Sequence, residues 1–167
     1  MILPTSVYRL QFRDGMDFDR AAGLAPYLAA LGISHLYASP LFTAQPGSIH
    51  GYDITDPGEI EPALGGMAGL ERLSAALKRH GLGLIFDIVP NHMAFSVETP
   101  WLRDILRNGQ KSRFAGHFDL DPGAERIRLP WLTAPFEDVL ADPGLTVDDD
   151  ADGPVLVAGT LRVPLAP

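Results

Sequence analysis

The chain has 167 residues, 46 % apolar and 20 % charged, enough for a globular fold with a sizeable core. Its net charge of −8, with only 13 Lys and Arg and no basic cluster, argues against nucleic acid and anionic membranes as partners. The absence of cysteine excludes disulfides and thiolate zinc sites, and no apolar run nears the roughly 20 residues of a membrane span.

The N-terminal stretch MILPTSVYRLQF lacks a basic segment followed by a long apolar one, so no secretion signal is expected and a cytoplasmic protein is the plain expectation. Within it, residues 6–12 (SVYRLQF) alternate and are rich in β-formers, which predicts a strand. From Asp19, DRAAGLAPYLAALG carries Leu24, Leu28 and Leu31 at helical spacing and stops at Gly32; Pro26 must kink this helix or mark its start. Residues 33–39 (ISHLYAS) predict a second strand in which His35 reads as a satisfied, partly buried histidine. A long loop rich in Gly, Pro, Asp and Ser is expected from Leu41 to about Met67. The segment AGLERLSAALKRHG then predicts an amphipathic helix, with Leu70, Leu73 and Leu77 on one face and Lys78, Arg79 and His80 at its negative end.

The next stretch, LIFDIVPNHMA (84–94), opens as a fully buried strand, taken to run over residues 83–89, yet holds Asp87 inside its apolar run. An unpaired buried carboxylate costs several kcal/mol, so Asp87 needs a partner or a task. Strand, helix, strand, helix, strand at this spacing predicts successive βαβ units, a parallel sheet and an α/β fold, with Asp87 and Asn91 near a strand's carboxyl end. In an extended strand positions 87, 89 and 91 share a side, so Asp87 and Asn91 form a candidate cluster with His92 on the emerging loop. A structural Asp followed by an Asn-His turn would read identically. The second candidate cluster is GSIHGYDITDP (47–57), with His50, Tyr52, Asp53 and Asp56. An aromatic ring beside carboxylates suits sugar recognition, the ring covering an apolar pyranose face and the carboxylates accepting hydroxyl protons; Asx turns in an ordinary loop are the alternative.

Beyond Ala94 the alternation stops. Residues 101–108 (WLRDILRN) suggest a short helix, RIRLP and PVLVAG are strand-like, and Asp148-Asp149-Asp150 reads as a solvated turn without EF-hand spacing. Trp101, Trp131, Phe114 and Phe118 read as core residues. Three strands cannot close a barrel and no terminating signal is visible, so the chain is expected to be the N-terminal piece of a longer protein. The sequence holds no Walker loop, GxGxxG, GxSxG or HExxH.

These motifs carry a resemblance. DIVPNH (87–92) resembles the first signature region of the α-amylase superfamily, glycoside hydrolase family 13, and HGYD (50–53) resembles the loop that bears its subsite −1 tyrosine. YRLQF, YLAALGISHLYASPLF, GSIHGYDITDP, LGG and DIVPNHMA, in that order, are similar to the branch of this family that rearranges maltodextrins into trehalose-capped chains. LPWLTAPFEDVL more loosely resembles that branch's inserted domain. The resemblance implies the N-terminal part of a (β/α)8 TIM barrel, its first three βα units at residues 1–95, followed at 96–167 by the start of an inserted domain after strand 3.

For the site, the resemblance implies that Tyr52 stacks on the subsite −1 glucose and that His92 hydrogen-bonds that glucose, chiefly at its 6-hydroxyl. Asp87 would support the centre by pairing with an arginine on the next strand, and His50 and Asp53 would be flanking polar residues. Asn91 matches a calcium ligand of many amylases, but this branch is not known for a calcium requirement, and neither a metal nor another cofactor is assigned. The nucleophilic Asp, the acid/base Glu and a third Asp belong to later strands, so none of the catalytic carboxylates is expected among these residues. The implied substrate is a maltodextrin (maltooligosaccharide), and the implied reaction an intramolecular glycosyl transfer, an isomerisation. Other readings stand beside it: a different α-glucan hydrolase or transglycosidase, a non-catalytic carbohydrate-binding piece, or a metallohydrolase using His50, Asp53, Asp87 and His92, which lacks paired HxH ligands.

Overall fold

In a computed structural model, which describes residues 3–121, 123, 126–132, 134–141 and 144–166, the chain divides into two compact units, Met1–Ala94 and Phe95–Pro167. The first is built on β1 (Val7–Leu10), β2 (His35–Ala38) and β5 (Gly83–Phe86), three parallel strands in the order β1-β2-β5. Arg9 lies opposite Tyr37, which lies opposite Ile85; one residue on, Leu10, Ala38 and Phe86 are aligned. Alternation therefore sends Leu10, Leu36, Ala38 and Leu84 to one face and Arg9, Tyr37 and Ile85 to the other.

The first of these faces belongs to the core. There Leu36 and Ala38 are buried with Phe18, Ala21, Ala25 and Leu28 of α1 (Phe18–Ala30) and Leu73, Ala76 and Leu77 of α2 (Gly66–Arg79). Helix α1 starts at Asp17, whose carboxylate accepts the Arg20 backbone N–H at 2.8 Å. Pro26 neither starts nor ends this helix. It sits on the exposed side, where the carbonyl it leaves unpaired can turn to water, while Ala25 and Leu28 anchor the buried side. His35 is buried, with Nδ1 3.0 Å from Ser34 Oγ, and its ring occupies the space a side chain at Gly83 would need.

Two expectations are corrected in this unit. The stretch expected as a long loop holds an antiparallel pair, β3 (Phe42–Ala44) and β4 (Ile54–Ile60), followed by a 3₁₀ turn at Pro62–Leu64. Register shifts in the pair, and a turn at Asp56-Pro57-Gly58 in which Gly58 N–H donates to Asp56 Oδ1 at 2.7 Å, erase the alternation that marks a strand in sequence. The third parallel strand stops at Phe86 and is not fully buried: Phe86 is 47 % and Ile88 54 % exposed. Its apolar composition is that of a two-sided strand, but among the described residues β5 pairs on one edge only. Residues 87–94 continue without regular structure, so strand alternation does not extend from Asp87 to Asn91.

The second unit contains α3 (Pro100–Asn108), α4 (Phe136–Ala141) and an antiparallel meander of β6 (Leu145–Asp150), β7 (Gly153–Ala158) and β8 (Leu161–Pro164). Helix α3 begins with Pro at its first turn and buries Leu102 and Ile105. The triple Asp is part of β6, not a turn. Arg162 donates to Asp148 at 2.9 Å, and Arg103 bonds Asp150; such pairing lets acidic side chains occupy a strand. RIRLP forms no strand, whereas PVLVAG lies largely within β7. Trp101 and Phe114 are half-buried and stack with ring centroids 5.1 Å apart. No helix among the described residues is long and apolar enough to cross a membrane.

Candidate functional site

The sheet face turned away from the helices carries a polar row. Arg9 on β1 and Tyr37 on β2 are neighbours in register, and the guanidinium carbon lies 5.9 Å from the Tyr37 ring centre. Asp87 follows β5 directly, and its backbone N–H donates to Ala38 O at 3.0 Å, extending the ladder by one residue. Asp87 thus falls on the side of Ile85 and Tyr37, at the carboxyl end of the parallel strands. The Tyr37 phenol is pushed above its ordinary pKa, chiefly by hydrogen bonding to the Asp87 carboxylate, then by burial and the carboxylate's charge; Arg9 opposes this.

The loop between β3 and β4 delivers Tyr52 to this row. Its hydroxyl donates to Asp87 Oδ2 at 2.6 Å and accepts from Arg9 Nη2 at 3.3 Å. Asp87 is therefore half-buried and partnered, which resolves the carboxylate in the apolar run. Among the described residues its side-chain hydrogen bond comes from Tyr52.

The loop is held from beneath. Gly51 has φ +76°, and a Cβ there would stand 2.7 Å from Arg13 Nε and 2.9 Å from Pro40 O, so only glycine lets the chain pass. Arg13 donates to Glu61 at 2.8 Å and to Phe42 O at 2.8 Å, with side chains only 8 % and 13 % exposed for Arg13 and Glu61. Burial alone would raise the Glu61 carboxyl, but the Arg13 bond and the amides of Ala63 and Ala44 outweigh it and hold it below the ordinary range.

His50 Nδ1 accepts the Tyr52 backbone N–H at 3.0 Å, and the two rings stack with centroids 6.0 Å apart. Asp53 lies 3.6 Å from His50 Nδ1 and accepts from the Ser48 hydroxyl. Both residues brace the turn that presents Tyr52. His92 and Asn91 are exposed and paired with each other, Nδ1 to Oδ1 at 3.1 Å; a donor role for Nδ1 leaves Nε2 of the neutral ring free to accept a hydroxyl proton. Among the described residues no hydrogen bond, ion pair or ring contact joins this pair to the Tyr52–Asp87 group.

Two members of the row, Arg9 and Tyr37, escaped sequence reading. Each sits singly in a strand pattern, and only the parallel register makes them neighbours of Asp87. No group of three or more His, Cys, Asp or Glu side chains gathers as a metal site among the described residues. The arrangement is an exposed aromatic ring whose hydroxyl is fixed from both sides, bordered by carboxylates already engaged in hydrogen bonds. That suits binding and orienting a hydroxyl-rich ligand.

An α/β fold with a polar, aromatic-bearing cluster at the carboxyl end of parallel strands has these groups where such folds place their active sites. Residues 19–137 match the alpha amylase catalytic domain model, and the chain belongs to the alpha-amylase family. It is 43 % identical over 171 residues to a putative maltooligosyl trehalose synthase of Mycobacterium tuberculosis, an alignment covering 97 % of this chain and 21 % of that protein. A crystal structure of a maltooligosyl trehalose synthase superposes with a TM-score of 0.92 at 38 % identity, over 97 % of this chain and 22 % of that one. The maltooligosyltrehalose synthase from Arthrobacter ramosus gives 0.82 at 40 % identity, over 98 % and 21 %. The chain spans about a fifth of the length of the curated relatives it matches.

Proposed function

We propose that this chain is part of a maltooligosyltrehalose synthase acting on maltodextrins in the cytoplasm. Residues 1–95 are the first three βα units of a (β/α)8 barrel, and 96–167 begin a domain inserted after its third strand. The likeness to synthases over nearly the whole chain supports this reading. The observation that carries it in the site is the 2.6 Å bond from Tyr52 to Asp87, which ties the aromatic loop to the carboxyl end of β5.

In this reading Tyr52 stacks on the glucose of subsite −1, His92 bonds its 6-hydroxyl, and His50 and Asp53 flank it. Asp87 and Asn91 support the site. Two carboxyl groups about 5 Å apart are needed for retaining glycosyl transfer, and these come from later strands of the whole enzyme. The nucleophilic Asp there displaces the reducing-end glucose from the terminal α-1,4 bond, the acid Glu protonating the departing oxygen. The freed glucose turns and attacks the glycosyl-enzyme through its anomeric hydroxyl, giving its proton back to Glu and forming an α,α-1,1 link. Bonds broken and formed balance, so the net change is an isomerisation. Water must be excluded or hydrolysis competes. Incubating the full-length protein with maltopentaose tests the reading: a non-reducing product of unchanged mass is expected. Glucose and shorter maltodextrins as main products would instead mark an α-glucan hydrolase, and binding without turnover a non-catalytic module.

A further inference from the structure

We infer that Arg9 is a positioning residue for the sugar platform: from β1 it holds the Tyr52 hydroxyl against Asp87 and so sets the angle at which the aromatic ring meets a glucose unit. The inference rests on the sugar-binding reading of Tyr52. A phenol offers one proton and an acceptor oxygen. Here the proton goes to Asp87 Oδ2 at 2.6 Å and the oxygen accepts from Arg9 Nη2 at 3.3 Å, so a cation and an anion grip one hydroxyl from two sides. The chain Arg9–Tyr52–Asp87 runs one way, donor to acceptor, and each bond polarises the next.

Arg9 is itself fixed. Its Nη2 also donates to Gln11 Oε1 at 3.1 Å, and its guanidinium lies over the Tyr37 ring. It stands on a strand whose register with β2 is set by the core, whereas Tyr52 arrives on a loop 43 residues later in the chain. A rigid strand thus supplies the reference to which the loop is tied. Tyr52, 37 % exposed as a residue, keeps surface free for a pyranose while its hydroxyl is anchored. A surface arginine with a merely solvating role would not need three fixed neighbours.

The test is a double-substitution cycle in the full-length protein, with Arg9→Met, Tyr52→Phe and the pair, read by kcat/KM on maltopentaose and by calorimetric binding of the same sugar. Arg9→Met alone should lower kcat/KM about tenfold, with an unchanged melting temperature and partial recovery in Arg9→Lys. In the Tyr52→Phe background the same change should cost almost nothing further, because the hydroxyl through which Arg9 acts is gone. Additive losses, or no loss from Arg9→Met alone, overturn the inference. Failure of the parent protein to form a non-reducing product sinks the synthase reading instead, and the binding cycle then still decides the role of Arg9.

Discussion

A carboxylate between Phe86 and Ile88 is stable because the Tyr52 phenol donates its proton to it and because that segment is itself half-open to water. Hydrogen bonds to an ionised acceptor are the strong ones, so Asp87 ties down Tyr52 from the β3–β4 loop. His92 stands apart from this group and keeps a free ring nitrogen. Substituting His92 by Ala in the full-length protein is expected to lower kcat/KM on maltopentaose about tenfold with no change in melting temperature. Kinetics equal to the parent's would remove His92 from the sugar site.

At the scale of elements, the β3–β4 loop works as a mount for Tyr52, and its foundation is the contact of Gly51 with Arg13. Gly51 and Gly47 both have positive φ, +76° and +80°, but only Gly51 is crowded. Gly47→Ala should therefore cost about 1 kcal/mol of backbone strain, and Gly51→Ala about 1–2 kcal/mol more with weakened maltopentaose binding, as denaturation and calorimetry would measure. Equal effects at both positions would refute the close packing. The Arg13–Glu61 pair adds a pH dependence. Because the folded Glu61 carboxyl titrates below its unfolded value, its contribution is present above the ordinary glutamate range and fades as pH falls through the lower folded value. Between about pH 5 and pH 3 the melting temperature of Glu61→Gln should fall less steeply than that of the parent.

For the whole molecule, the proposed reading draws the pair of reacting carboxylates from later strands and not from these residues. The isolated 167-residue chain should show no turnover of maltodextrins, measured by reducing-sugar release and by loss of reducing ends. Robust turnover would overturn the assignment of chemistry to later strands. The sequence alone determined the parallel β1-β2-β5 alternation and the helices between, because 3.6-residue and two-residue periods are local properties of the chain. It also determined the DIVPNH and HGYD stretches, because motifs are read without coordinates. Only the tertiary structure decided that β5 pairs on one edge, that a bulged antiparallel pair hides in the Gly- and Pro-rich stretch, and that Asp148–Asp150 lie in a strand. It also decided which groups meet Asp87. Arg9, Tyr37 and Tyr52 are brought together by strand register and by a loop packed over Arg13, and such long-range pairing leaves no periodic trace in the residues that take part.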